Sequence, residues 1–192
     1  MAIFVTGPHE AGKTLFAKIL AHENFPSIDL GPTLRNVWKR QAPNTTFDNF
    51  VQAGERHFGQ NFTDSILVEE ILEELRVQSI GDASRLLLLG SRSVMGIQYI
   101  KSHIPLLGLS KNFVVYIEAD EATLYQRYCK RNEHVSLEEF RLMLKKDRDM
   151  GLERIQEMAD FVIANDGSVE EFELKVKHLV FELMKNRHDE QL

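Results

Sequence analysis

The chain opens on Ala2-Ile-Phe-Val-Thr-Gly7-Pro-His-Glu-Ala-Gly12-Lys13-Thr14, a short apolar run leading into the pattern G-x-x-x-x-G-K-[ST]. No other stretch restricts the fold so tightly. Ile3 to Val5 supply a buried strand, Gly7 and Gly12 let the backbone turn, and Leu15-Phe-Ala-Lys-Ile-Leu20 continues with helical spacing. Backbone N–H groups and a helix N-terminus then converge on an anion, the arrangement of a phosphate-binding loop. In it the backbone of Gly7, Pro8, His9, Glu10, Ala11 and Gly12 cradles phosphates and Leu15 continues into the helix. Lys13 reaches the β- and γ-phosphates and the Thr14 hydroxyl ligates Mg²⁺, so ATP and Mg²⁺ are the expected cofactors. The bare pattern arises by chance in roughly one chain of this length in a hundred. The flanking strand and helix make nucleotide binding the expectation; His9 reads only as a variable position between the glycines.

A chain of 192 residues is long enough for one α/β domain with a proper core, so residues 1–192 are expected to form a single domain. The net charge of −6 argues against broad attraction to nucleic acid or to anionic membrane. The single cysteine, Cys129, rules out an intramolecular disulfide and suits a reducing compartment; it reads as a half-buried structural residue. No signal-peptide pattern opens the chain and no apolar run approaches a membrane span, so a cytoplasmic location is expected.

Phe25 to Leu30 reads as a second strand ending on Asp29, broken by Gly31-Pro32. A short helix is expected over Thr33 to Arg40, a turn over Ala42 to Thr46, a helix over Phe47 to His57 and a loop over Phe58 to Phe62. Thr63 then caps a long helix with Leu67, Val68, Ile71, Leu72 and Leu75 on one face and Glu69, Glu70, Glu73 and Glu74 on the solvated one. Arg85 to Leu89, between Gly81 and Gly90, is a continuous apolar run of the kind buried on both sides of a parallel sheet; Asn112 to Glu118 and Asp160 to Ala164 repeat it. Helices are expected over Val94 to His103, Glu121 to Arg131, from Ser136, and over Asp147 to Met158. Ser136-Leu-Glu-Glu139 and Ser168-Val-Glu-Glu171 are capping boxes, Asp120 an N-cap. The last helix carries Val169, Phe172, Val176, Leu179, Val180 and Leu183 on one face and frays over Asn186 to Leu192. Strand and helix thus alternate five times, which implies a parallel sheet with helices on both faces and a ligand at the carboxyl ends of the strands.

Residues just past those ends become site candidates. Phosphoryl transfer asks a protein for positioning and for cations around the migrating group. Arg127, Lys130 and Arg131 share one helix, and Arg141, Lys145, Lys146 and Arg148 follow, a basic cluster placed where a lid would close over ATP. Asp29 reads either as a carboxylate that activates an acceptor hydroxyl or orders Mg²⁺ through water, or as a turn-initiating residue; the functional reading is preferred. Arg92 reads as a phosphate ligand or as a surface residue at a helix start. Asn165-Asp-Gly-Ser168 reads as an adenine pocket or as a turn and cap.

With these segments in hand, the chain resembles the P-loop kinases of the nucleoside monophosphate kinase superfamily, above all the dephospho-CoA kinase, cytidylate kinase and phage deoxynucleotide kinase branches. Ile28-Asp29-Leu-Gly-Pro-Thr-Leu-Arg35 resembles their acidic second-strand end with its acceptor-binding arginine, Leu124 to Arg131 their lid-entry helix, Arg148 a further lid arginine, and Ala159 to Ser168 their final strand and adenine-side loop. The resemblance implies a three-layer P-loop NTPase fold, a five-stranded parallel sheet with a small lid over residues 127–148 and an acceptor-side helical segment over 33–62. It implies transfer of the γ-phosphoryl of ATP·Mg to a nucleotide-like acceptor. Lys13, Asp29, Arg92, Arg127 and Arg131 are then the catalytic candidates, Asn165 a nucleotide contact, and Asp29, Arg35, Glu55, Arg56 and Arg92 the acceptor contacts. One departure stands out: many relatives end the third strand on an aspartate, whereas this chain has Leu89-Gly90-Ser91-Arg92. Either Asp29 takes over the organisation of Mg²⁺ or the protein mainly binds nucleotide as a switch. A kinase acting on a hydroxymethylated base in DNA is the other alternative, with Trp38, Phe47 and Phe50 available to stack a base.

Overall fold

The computed structural model describes residues 1–77, 85–107, 109, 111–132 and 135–185. Strands β1 (Ala2–Thr6), β2 (Ser27–Asp29), β3 (Leu86–Leu89), β4 (Asn112–Glu118) and β5 (Phe161–Ala164) pair in parallel in the order β2-β3-β1-β4-β5. The helices among the described residues are α1 (Lys13–Leu20), α2 (Leu30–Gln41), α3 (Phe47–Phe58), α4 (Phe62–Val77), α5 (Val94–His103), α6 (Glu121–Arg131), α7 (Leu137–Asp149), α8 (Leu152–Glu157) and α9 (Val169–Lys185).

Side chains alternate across the pleat, so each strand feeds two cores. Ile3, Val5, Leu87, Leu89, Val115 and Ile117 meet Phe16, Leu124, Phe140, Phe172 and Val176 on one face. Ala2, Phe4, Leu86, Leu88, Val114 and Tyr116 meet Leu67, Ile71, Ile97, Ile100 and Ile155 on the other. The uninterrupted leucines of β3 are therefore the signature of a strand covered twice. A third, smaller cluster of Val37, Phe50 and Ile66, flanked by Trp38 and Phe62, binds α2, α3 and α4 to one another. The fold is the three-layer P-loop NTPase arrangement, and all five carboxyl strand ends face one side. Among the described residues no helix is long and apolar enough to cross a membrane.

Several local expectations need correction. Gly31-Pro32 does not break the chain: α2 begins at Leu30, immediately after β2, and Pro32 lies in its first turn. There a missing N–H removes no helical bond. Helix α4 starts at Phe62, so Thr63 is inside its first turn and is not its cap, and only residues 59–61 are loop. No single helix covers Asp147 to Met158. Asp147 belongs to the end of α7, and α8 starts after Gly151, whose φ of 101° no helix accommodates. Cys129 is exposed, not half-buried, and Val169 stands outside the core face of α9. Gly81 and the fraying expected beyond Asn186 lie outside the described residues. Both capping boxes form, with Ser136 and Glu139, and Ser168 and Glu171, each exchanging two bonds.

Candidate functional site

The loop between β1 and α1 is shaped by two glycines that accept no replacement. Gly7 (φ 141°) lies where a Cβ would run into the Ile117 carbonyl, and Gly12 (φ 111°) where it would strike the Asn165 amide. Between them the residues that the motif leaves free are the loop's anchors. His9 bonds Asp147 of α7 through its backbone N–H at 3.1 Å and its Nδ1 at 2.7 Å. Glu10, held at a positive φ of 65°, accepts from Arg127 through its carbonyl at 3.3 Å and pairs with Arg131 at 3.2 Å. The Ala11 carbonyl accepts from Asn165 Nδ2 at 2.7 Å, and the Asn165 carbonyl accepts from Arg127 at 2.8 Å. Asn165 is thus a buried strut between the loop and α6; the cap reading of residues 165–168 also holds, since Ser168 and Glu171 exchange two bonds at the start of α9, and Asp166 accepts from the Asp120 N–H at 2.7 Å.

Lys13 is folded back, donating to the carbonyls of Gly7 and Pro8 at 2.8 and 2.7 Å. Its side chain is half-buried, yet the ammonium sits deep in the loop. Burial, then the neighbouring Arg92, pull its pKa down to about 8 against the opposing carboxylates of Asp147, Asp29 and Glu10. Arg92, just past β3, pairs with Asp147 Oδ1 at 3.0 Å and places Nη2 2.9 Å from His9 Nε2. Asp147 has a side chain only 2% exposed. Burial pushes its carboxyl up, but the His9 bond and the Arg92 charge outweigh this and hold it below the usual carboxylate range.

These groups border a cleft of about 910 Å³. Its loop-side wall carries His9, Glu10, Gly12, Lys13, Thr14, Leu15, Arg92, Arg127, Arg131 and Asn165. Gly7, Pro8 and Ala11 stand behind that surface. The opposite wall comes from the end of β2 (Asp29) and from α2, α3, α4 and the start of α5: Arg35, Phe47, Glu55, Asp64 and Met95. Glu55 turns into the cleft and Arg56, one residue on, does not line it. Lys130 also lines the cleft, whereas Lys145, Lys146 and Arg148 are exposed outside it and Arg141 pairs with Glu121 at 2.7 Å. Trp38 and Phe50 pack edge-on against Phe47 and Phe62 and serve the small core; of the aromatic candidates only Phe47 lines the cleft.

Asp29 pairs in register with Leu89, so it stands beside the third strand's end, and its carboxylate lies 3.6 Å from where a Gly90 Cβ would be. A carboxylate of the neighbouring strand thus stands beside the end of β3, which carries none of its own. Asp64 lies 2.7 Å from where a Gly96 Cβ would stand, and burial and then Glu55 push its pKa up to about 6. Among the described residues no His, Cys, Asp and Glu cluster forms a ready-made metal site. Among the oxygen-bearing residues that line the cleft, Thr14, Asp29 and Ser91, whose buried hydroxyl lacks a hydrogen-bond partner, offer hard donors that suit Mg²⁺ carrying most of its own water.

The sequence predicts only a backbone role for His9, as a variable loop position, and places Asp147 in a helix over Asp147 to Met158 with no role at the site. The signal for Asp147 was present: Phe140, Leu144 and Asp147 fall on one buried stripe of α7, and a carboxylate on an apolar stripe asks for a partner.

A glycine-bounded loop between β1 and α1 and a five-stranded parallel sheet with helices on both faces define the class: this is a P-loop kinase fold. No protein-family model matches the chain. It is 26% identical over 190 residues to a UPF0200 protein of Thermococcus onnurineus, with 96% of this chain and 98% of that one covered. It is 25% identical over 188 residues to a UPF0200 protein of Saccharolobus islandicus, with 96% and 94% covered. Among solved structures it is similar to the dephospho-CoA kinase from Campylobacter jejuni (TM-score 0.56, 18% identity, 97% and 98% covered). It is similar also to the shikimate kinase from Acinetobacter baumannii in complex with shikimate (TM-score 0.55, 17% identity, 94% and 93% covered).

Proposed function

We propose that the protein is a phosphotransferase that moves the γ-phosphoryl group of ATP·Mg to a small nucleotide-type acceptor, all within one kinase domain. The observation that carries this reading is the convergence of Lys13, Arg92, Arg127 and Arg131 on one wall of a single cleft with Asp29 on the other. A switch needs the first wall only; a two-substrate site needs both. The volume of about 910 Å³ stands at the upper end of the range for single small-molecule sites and suits a nucleotide plus an acceptor. Kinases for two dissimilar acceptors, dephospho-CoA and shikimate, share the fold.

In this reading the loop N–H groups and Lys13 bind the β- and γ-phosphates, Lys13 leaving its loop carbonyls to do so. Residues 33–62 form the acceptor side and residues 127–148 the lid. Thr14, with Asp29 through water, would hold Mg²⁺, which when bound neutralises phosphate charge. Asp29 accepts the proton of the acceptor hydroxyl. The hydroxyl oxygen bonds to the γ-phosphorus as the bond from phosphorus to the β–γ bridging oxygen breaks, and ADP leaves with that electron pair. Arg92, Arg127 and Arg131 stabilise the charge spread over the transferring group. Arg35 meets the anionic part of the acceptor, and Glu55 takes its hydrogen-bond donors.

Incubation with γ-labelled ATP and Mg²⁺ against separate nucleosides, nucleoside monophosphates, dephospho-CoA, shikimate and hydroxymethyluracil-containing DNA tests the proposal. Label on a small acceptor supports it. Label on DNA replaces the acceptor, and tight ATP binding with no transfer to any acceptor overturns it in favour of a switch.

A further inference from the structure

We propose that Asp147 is a positioning residue: a buried carboxylate on α7 that orients Arg92 and the His9 imidazole toward the terminal phosphate of a bound nucleotide. The proposal rests on the nucleotide-site reading above. Of the run Lys145-Lys-Asp-Arg-Asp149, only Asp147 is buried, 1% exposed. It is absent from the lining of the cleft, so it does not touch substrate. Its two partners, His9 and Arg92, do line the cleft.

The three side chains form a closed ring. Asp147 Oδ2 accepts from the backbone N–H of His9 at 3.1 Å and meets His9 Nδ1 at 2.7 Å. Arg92 Nη2 lies 2.9 Å from His9 Nε2, and Arg92 Nη1 lies 3.0 Å from Asp147 Oδ1. A guanidinium can only donate, so His9 Nε2 must accept, and the imidazole proton must sit on Nδ1 and point at Asp147. The ring is therefore satisfied in one protonation pattern only. Oδ1 meets Arg92 as an ion pair without hydrogen-bond alignment, so its hold is one of charge.

Two consequences follow for the loop. A free arginine samples many rotamers, whereas Arg92 is held by two contacts, to His9 and to Asp147, before any phosphate arrives. Arg92 also disfavours the charged form of Lys13, and Asp147 opposes that effect. One buried carboxylate thus lets two cations share a single anion site.

The test compares affinities for ADP and for the non-hydrolysable analogue AMP-PNP, each with Mg²⁺, by calorimetry in wild type, Asp147→Asn, Arg92→Ala and the double variant. Wild type is expected to favour AMP-PNP by about tenfold through the terminal phosphate. Each single variant should lose that preference while keeping ADP affinity within about threefold, and the double variant should lose no more than either. Asp147→Glu should restore part of it. Retention of the preference in Asp147→Asn, losses that multiply in the double variant, or no preference in wild type would each overturn the proposal. If Asp147→Asn fails to fold, the wild-type protein still decides: nitrogen-15 spectra should show His9 as the Nδ1–H tautomer, and the Nε2–H tautomer sinks the idea. A preference that depends on Asp147 alongside no transfer to any acceptor would leave this inference standing and defeat the phosphotransferase reading alone.

Discussion

The two walls of the cleft are built on opposite principles. On the loop side nearly every charge is already matched: Lys13 by loop carbonyls, Arg131 by Glu10, Arg127 by the carbonyls of Glu10 and Asn165, Arg92 by Asp147 and His9. On the helical side Asp29, Arg35 and Glu55 line the cleft, and none of their side chains forms a hydrogen bond or ion pair among the described residues. Under the proposed phosphotransferase reading, the difference shows how a two-substrate site would divide its work. A shared donor nucleotide calls for a prearranged cradle whose dipoles need no reorganisation. An acceptor that varies from one kinase to the next calls for groups held apart on a helical scaffold, whose matching is completed only by the ligand. Arg92 and Asp147 thus support each other within the fold, whereas burial makes charge costly at Lys13 on the first wall and at Asp64 on the second.

The sharpest way to break this contrast is Lys13→Ala. Transfer of label from ATP should fall by at least ~10³-fold, because the group aimed at the migrating phosphoryl is gone. Circular dichroism should show the fold intact, since Lys13 bonds only loop carbonyls. Retention of most activity would mean that the loop does not serve ATP. Of the effects on stability, that of Asp147→Asn is the largest expected. The amide keeps an acceptor for His9 but leaves Arg92 without its counter-charge; because Arg92 is about a third exposed, the loss falls below that of a fully buried pair, at about 2 kcal/mol. Urea unfolding should show that loss at neutral pH; a variant as stable as wild type would deny that the loop wall's charges hold the fold.

The two walls also differ in how far they could be read in advance. The loop, the five strands and both capping boxes are local patterns, and β4, α5 and α6 fall at their expected bounds. The contacts that make the loop a site are not local: His9 reaches Asp147 across 138 residues and Arg92 reaches His9 across 83. No spacing rule links such positions. Treating Gly31-Pro32 as a breaker hid that α2 springs directly from β2 and so carries Arg35 to the cleft beside Asp29. On the helical wall Glu55 and Arg56 are neighbours of opposite orientation, and only the packing of α3 through Phe50 and the ring of Phe62 against Gly54 decides which faces inward. Asp64 gave no signal at all, because a carboxylate in the first turn of a helix is ordinary.

Asp29→Asn probes the seam between the walls. If the carboxylate takes the acceptor proton, kcat should fall by ~10²-fold while nucleotide affinity changes little. Its contribution to Lys13 is the third of the charge effects there, after Arg92 and Asp147, so the nucleotide site should notice it least. An unchanged rate would reduce Asp29 to the residue that starts α2.

The smallest expected effect has the opposite sign. Asp64 is charged at neutral pH although burial and Glu55 both favour its protonated form, with a pKa near 6 against 3.8 for an unstrained side chain. Between those two values the folded protein binds more protons than the unfolded one, so stability is greatest below pH 4 from this group and declines as pH rises through 6. Partial solvent exposure screens the term, which leaves about 1 kcal/mol of destabilisation at pH 7. Asp64→Asn should therefore raise the midpoint of thermal unfolding at pH 7 and flatten its dependence between pH 4 and 6. Nucleotide affinity should stay as it was, because the side chain belongs to the helical wall. Loss of stability in this variant would mean that Asp64 is paired for the benefit of the fold, and the contrast between a self-satisfied donor wall and an acceptor wall held ready at a cost would fail.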